Sequence, residues 1–167
     1  MKNNIPPVRV GHGVDVHPFA EGRKLILGGV EIPSERGLAG HSDADVIAHA
    51  LCNAALGGAG LGDLGRHFPD SDPAWKDVSG AELLARVHAK LREAGWHVAQ
   101  ADATIMAQSP RLAPYLEKMA ANLAGALGLE ENRVNVKAVT TEKLGFVGRA
   151  EGIEAHAVVT LLPHEKE

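Results

Sequence analysis

The chain has 167 residues, 45% of them hydrophobic and 23% charged, a balance that fits neither a disordered tail nor a fibrous repeat. Its formal net charge of −4 supplies no basic field for phosphate backbones, so nucleic acid is not expected as a partner. No apolar run approaches the roughly 18–20 residues that span a bilayer, the N-terminus has no apolar signal-peptide core, and Cys52 alone cannot form an intrachain disulfide, so a soluble cytoplasmic protein is expected.

A single domain over residues 1–167 is expected, with residues 1–7 a loosely ordered extension. From Val8 to His17 the even positions Val8, Val10, Val14 and Val16 are apolar, while Asp15 and His17 share the odd face, the period of a half-buried strand. By the same parity His12 belongs to the apolar face as a packed or hydrogen-bonded histidine. Leu25–Leu27 and Val30–Ile32 around Gly28-Gly29 predict a hairpin. Ser42 and Asp45 resemble a capping box that opens a helix over about 43–56, ended by Gly57-Gly58. A second capping box, Ser79 to Glu82, opens a helix with a Leu83, Leu84, Val87, Leu91 stripe and Gly95 as its stop. Val98–Met106 predicts a strand, and Leu116, Met119, Ala120, Leu123 and Leu127 a third helix ending at Gly128. Val134–Val139 and Ile153–Leu161 predict two more strands, the last with Ile153, Ala155, Ala157, Val159 and Leu161 on one side. This order favours an α+β, two-layer sandwich with a mixed sheet and helices on one face.

Three stretches carry chemistry. Asp15-x-His17 aims a carboxylate and an imidazole the same way, and His49 lies one helical turn beyond Asp45. Two nitrogens and a carboxylate oxygen suit zinc and leave a fourth position open to substrate. Gly60-Leu61-Gly62-Asp63-Leu64-Gly65 matches G-x-G-x-x-G, but a helix precedes it and Pro69 follows, so a dinucleotide site is rejected. Asp63 there reads either as an acceptor for substrate hydroxyls or as a solvated turn aspartate. Thr140-Thr141-Glu142-Lys143 follows a strand with hydroxyls, a carboxylate and a cation, as a phosphate and divalent-cation site needs. Between Arg111 and Arg149 six basic residues face four acidic ones, a local excess that favours an anionic ligand.

Gly11-His12-Gly13-Val14-Asp15-Val16-His17, His41-Ser42-Asp43-Ala44-Asp45, Leu61-Gly62-Asp63-Leu64-Gly65, Phe68-Pro69-Asp70-Ser71-Asp72-Pro73 and Thr140-Thr141-Glu142-Lys143-Leu144-Gly145-Phe146 together resemble the 2-C-methyl-D-erythritol 2,4-cyclodiphosphate synthase family of the non-mevalonate isoprenoid pathway. The resemblance runs from about Val8 to Leu162 and implies an enzyme without a fused cytidylyltransferase. It implies that Asp15, His17 and His49 bind Zn²⁺, and that Glu142 holds Mg²⁺ or Mn²⁺ on the diphosphate of a cytidine diphosphate substrate. His41 and Ser42 would contact phosphates, and His41 and Thr140 would steady the transition state. Asp63, Leu64 and Gly65 would hold the methylerythritol hydroxyls beneath a mobile loop, Phe68, Pro69, Asp70, Ser71 and Asp72. Ala107, Gln108, Ser109, Pro110, Arg111, Leu112 and Ala113 would form the cytidine pocket, joined by Val139, Thr140, Thr141, Glu142, Phe146 and Arg149.

The family likeness further implies a homotrimer with active sites between subunits, and a central cavity near Phe146 and Arg149 that admits isoprenoid diphosphates. Ala44, Arg111 and Val139 depart from the family's commoner glycine, lysine and threonine. The implied reaction is attack of the substrate's 2-phosphate on its β-phosphate, which closes a cyclic diphosphate and expels CMP. An ionised phosphate needs no general base, so positioning and charge balance carry the barrier. The alternatives are a zinc-dependent phosphohydrolase and a non-catalytic trimeric module with structural zinc. The second would ordinarily need four protein ligands.

Overall fold

A thirteen-residue strand, β1 (Arg9–Glu21), sets the architecture through the residues it lacks. A Cβ on Gly11 would lie 1.8 Å from the carbonyl oxygen of Ala54, and one on Gly13 would lie 2.2 Å from that of Ala50. Only glycine lets helix α1 (Val46–Ala59) lie this close to the strand. The structure, a computed structural model, describes residues 7–164. The expected N-terminal extension falls outside these residues except for Pro7.

Three short strands surround the α1 entrance: β2 (Leu25–Leu27) and β3 (Val30–Ile32) pair with each other, and β4 (Arg36–Leu38) pairs with the end of β1. Gly28 and Gly29 both have positive φ, as the tight hairpin turn requires. After α1 come the short α2 (Leu64–His67) and then α3 (Gly80–Glu93). The chain continues through β5 (Trp96–Met106), α4 (Leu116–Ala126), β6 (Val134–Val139), the one-turn α5 (Gly145–Gly148) and β7 (Gly152–Pro163). The five-stranded sheet has the order β4-β1-β7-β5-β6, with β5 and β6 parallel and the other pairs antiparallel. It is therefore an α+β structure with a mixed sheet.

Ser79 caps the second helix as expected, its Oγ accepting from Glu82 N at 3.1 Å with the full Leu83, Leu84, Val87, Leu91 stripe buried, but only this half of the box forms, because the Glu82 carboxylate pairs with Arg86 at 2.7 Å. Ile153, Ala155, Ala157, Val159 and Leu161 are buried together on the helix side of β7. The first box differs. Asp45 is the cap of α1, Ser42 lies outside the helix, and the helix continues through Gly57 and Gly58 to Ala59. Gly58 stays helical because the Gly11 backbone lies 3.0 Å from where its Cβ would be, so small size rather than termination explains it.

The expected polarity of β1 is reversed. Its even positions point away from the helices, with Val10 67%, Val14 39% and Val16 45% exposed, and the glycine, Asp15 and His17 side packs on α1. His12 accordingly lies on the open face beside His156, ring centres 5.7 Å apart, rather than in the core. Hydropathy misassigns this strand because two glycines bury backbone, which leaves no apolar side chain to count.

Candidate functional site

Where the glycine face of β1 meets α1, the last two inward residues of the strand meet His49. Asp15 Oδ2 lies 2.9 Å from His17 Nε2 and 3.1 Å from His49 Nδ1, and the two nitrogens are 3.1 Å apart. Strand period places Asp15 and His17 on one face, and the cap at Asp45 places His49 in the first turn of α1. Asp45 is itself buried and accepts from Ala48 N, Gly28 N and Gly29 N, which ties the hairpin to the start of the helix. Burial, then the Asp43 carboxylate, pushes its pKa up to about 6 against those three N–H donors.

Both imidazoles hand their outer nitrogen to the protein. His17 Nδ1 donates to the Ala39 carbonyl at 2.6 Å, which leaves Nε2 bare toward the centre. His49 Nε2 meets Ser42 Oγ at 3.1 Å, with Nδ1 directed inward. Burial raises the Asp15 pKa, but the hydrogen bonds and charges of both histidines outweigh it and hold the carboxyl at about 2. Burial lowers that of His17, but Asp15, the Ala39 carbonyl and Asp70 outweigh it and shift it upward. One carboxylate oxygen and two imidazole nitrogens crowded about 3 Å apart fit a shared cation, and this donor set is the one zinc takes.

The triad opens on a cavity of about 360 Å³ that also presents His41, Ser42, Asp63, Leu64, Gly65, Phe68 and Asp70. His41 Nε2 is buried with no hydrogen-bond partner among the described residues, a polar atom with unspent capacity. Asp63 caps α2 through Arg66 N at 2.9 Å, so its carboxylate is already oriented. The 68–72 turn is pinned at both ends: Phe68 is buried edge-on to Trp75 at 4.9 Å, and Asp72 accepts from Ala74 N. Pro69, Asp70 and Ser71 between them are exposed. Ala44, in the loop leading to α1, has φ 57°, a left-handed conformation that favours glycine.

A separate cavity of about 260 Å³ is lined by Ala107, Gln108, Pro110, Arg111, Leu112, Ala113, Leu116, Ala138, Val139 and Thr140. It shares no residue with the first, and neither contains Ser109, Thr141, Glu142, Phe146 or Arg149. Thr140 Oγ1 donates to Glu142 Oε1 at 2.7 Å, and both are exposed. Glu142 and Lys143 have consecutive positive φ values, 53° and 66°, in a turn held by Gln108 Oε1 accepting from Lys143 N at 3.0 Å. Arg149 pairs with Glu151 at 2.8 Å. Within one chain, Glu142 is thus not part of the Asp15, His17, His49 group.

Sequence reasoning missed Gly40, Asn53, Trp75, Val78 and Leu83 in the first cavity. Asn53 carried a usable signal, since it stands one turn after His49 on the same helix face. It bridges Val14 O at 3.4 Å and Leu64 N at 2.9 Å, which joins the strand to the start of α2. The others come together only through folding.

Comparison with known proteins finds relatives along nearly the whole chain. The model of the YgbB family matches residues 8–162. A 2-C-methyl-D-erythritol 2,4-cyclodiphosphate synthase of Thiobacillus denitrificans is 60% identical over 151 residues, 90% of this chain and 94% of that protein. The enzyme of the same name from Geobacillus kaustophilus is 60% identical over 153 residues, 92% of this chain and 97% of its own. Among solved structures, the bifunctional IspDF from Campylobacter jejuni superposes with TM-score 0.92 at 46% identity, over 96% of this chain and 44% of that longer one. The Plasmodium falciparum IspF, solved as a CDP complex, superposes with TM-score 0.82 at 28% identity, over 97% of this chain and all of its own. On sequence and fold alike, the chain belongs to the YgbB family.

Proposed function

We propose that this chain is a single-domain, cytoplasmic 2-C-methyl-D-erythritol 2,4-cyclodiphosphate synthase of isoprenoid biosynthesis. It converts 4-diphosphocytidyl-2-C-methyl-D-erythritol 2-phosphate to the cyclic diphosphate and CMP. One observation carries the reading: a carboxylate oxygen of Asp15 and ring nitrogens of His17 and His49 lie about 3 Å apart at the edge of a cavity that His41, Ser42 and Asp63 also line. An oxygen of the 2-phosphate attacks the β-phosphorus, the bond from that phosphorus to the α,β-bridging oxygen breaks, and CMP leaves with the electron pair. The reacting groups belong to one substrate, so the protein's task is to fold that substrate back and balance its charge.

Asp15, His17 and His49 would hold zinc and Glu142 would hold magnesium or manganese, which supply Lewis-acid polarisation of the β-phosphate and charge neutralisation at the leaving group. His41, which lines the cavity, would contact a phosphoryl oxygen, and Ser42, whose Oγ accepts from His49 Nε2 and Ala44 N, would donate its one hydroxyl proton to another. Asp63 and the Leu64 and Gly65 backbone orient the methylerythritol hydroxyls, with the 68–72 turn above them. The second cavity takes the cytidine, with Thr140 and the strained Glu142 turn at the phosphate end.

A homotrimer joins the two halves, one chain giving the metal end and the next the nucleotide end. The disjoint cavities and the exposed valines of β1 and β7, including Val158 at 42%, support this arrangement. The test incubates purified protein with the substrate in ¹⁸O-water, with and without a chelator. CMP and unlabelled cyclic diphosphate, lost on chelation, are expected. Incorporation of ¹⁸O into a phosphate product would instead identify a phosphohydrolase.

A further inference from the structure

The two histidines facing the cation position depend on partners at opposite ends of one short segment. His17 Nδ1 donates to the carbonyl of Ala39, and His49 Nε2 bonds the hydroxyl of Ser42. Residues 39–42 belong to no helix or strand, so no regular backbone ladder fixes these partners. Arg23, between β1 and β2, grips that segment from outside the cavity. Its Nη1 donates to the Gly40 carbonyl at 3.1 Å and its Nη2 to the Ser42 carbonyl at 2.6 Å. A planar guanidinium fixes two acceptors at once, which a lysine ammonium on a flexible stem does not reproduce.

We infer that Arg23 is a positioning residue for the cation site, acting through Ala39 and Ser42 to set the orientation and tautomer of His17 and His49. It lines a neighbouring depression with Lys24, Asp43 and Asp77, and it is absent from the cavity that holds the ligands. Its effect is therefore indirect. Backbone contacts at Ala39 N to Pro18 O, Asp77 N to His41 O and Asp43 N to Val78 O limit gross movement of the segment, and Ala44 N donates to Ser42 Oγ at 3.1 Å, so Arg23 adjusts the fine orientation of a segment that is already held. Outer hydrogen-bond partners of this kind tune metal affinity by about ten- to hundredfold.

The inference rests on the cation-site reading, and the experiment separates the two. Chelator-stripped protein is titrated with Co²⁺, followed by visible absorption, and with Zn²⁺ in competition with a chromophoric chelator. Wild type should bind one ion per chain and Asp15→Asn should not; if wild type binds none, the cation site and the inference both fall. Given a binding wild type, Arg23→Gln should weaken Zn²⁺ about ten- to hundredfold and alter the Co²⁺ spectrum. Arg23→Lys should recover part of the affinity. Arg23→Gln combined with Ser42→Ala should lose less than the two separate losses multiplied together, because both act on the same histidine. Wild-type affinity and spectrum in Arg23→Gln, whatever its melting temperature, would reduce Arg23 to a loop clamp and overturn the inference. Should Arg23→Gln not fold, Arg23→Lys carries the same two readouts.

Discussion

The two faces of β1 differ in a way opposite to their hydropathy. The outward face carries valines and His12, is largely open, and has no helix packed on it among the described residues. The inward face carries Gly11, Gly13, Asp15 and His17, hardly an apolar atom among them, and it is the one that packs on α1. The inward face buries backbone where the helix must come close, then uses the next two positions of the same period for ligand atoms. The outward face keeps its apolar area for a surface that this chain alone does not cover. A strand's buried side therefore follows from where backbones must approach, and side-chain hydropathy is a secondary guide.

The largest expected effect comes from breaking the inward face. Gly13→Ala would set a methyl group 2.2 Å from the Ala50 carbonyl oxygen, and no rotamer relieves a clash with helix backbone. A loss of more than about 4 kcal/mol, or failure to fold, is expected in urea denaturation. A change within about 1 kcal/mol would mean that strand and helix separate easily, and the contrast between the faces would fail.

The outward face should respond differently. Val14→Asp, at an exposed position of the chain, should alter folding of the isolated chain by about 1 kcal/mol or less, visible as unchanged far-ultraviolet circular dichroism. It should nonetheless convert the proposed trimer to monomers in sedimentation velocity. A variant that stayed trimeric would remove the valines from the assembly surface.

The smallest effect sharpens the comparison with a pH control in α3, away from both faces. Burial first, then the charge of Arg92 and the neighbouring His97 and His164, lowers the His88 pKa below 6.5, although the Leu127 carbonyl opposes the shift. Its Nδ1 is buried with no hydrogen-bond partner among the described residues, and the cost of burying a charged ring outweighs the Leu127 carbonyl. The native state disfavours the proton relative to the unfolded chain. This contribution is therefore fully present well above pH 6.5 and is lost as pH falls through 6.5 toward the lower folded value. Between pH 7.5 and 5.5 the urea midpoint of wild type should fall more than that of His88→Gln. Equal falls would place the acid sensitivity elsewhere.

Much of the fold was legible because its signals are local. Ser79 with Glu82, the Leu83–Leu91 stripe, the Gly28-Gly29 turn and the alternation of Ile153–Leu161 each report short-range backbone preference or one buried face. The short β4, α2 and α5 were not anticipated, since elements of three or four residues carry too little periodicity. The convergence of Asp15, His17 and His49 was legible because strand period and one helical turn already dictate their directions.

Sequence alone thus determined the ligand types, the order of most elements and the family motifs, since each depends on residue identity at fixed spacing. Only tertiary structure decided which side of β1 is inside, that Asp45 rather than Ser42 caps α1, and that the pocket around Ala107 and Arg111 is separate from the cavity beside Asp15, His17 and His49. Those outcomes depend on backbone approach and on contacts between residues tens of positions apart, such as Gly13 with Ala50 and Arg23 with Ser42. Local pattern carries no term for such distances. Packing of the whole chain sets them.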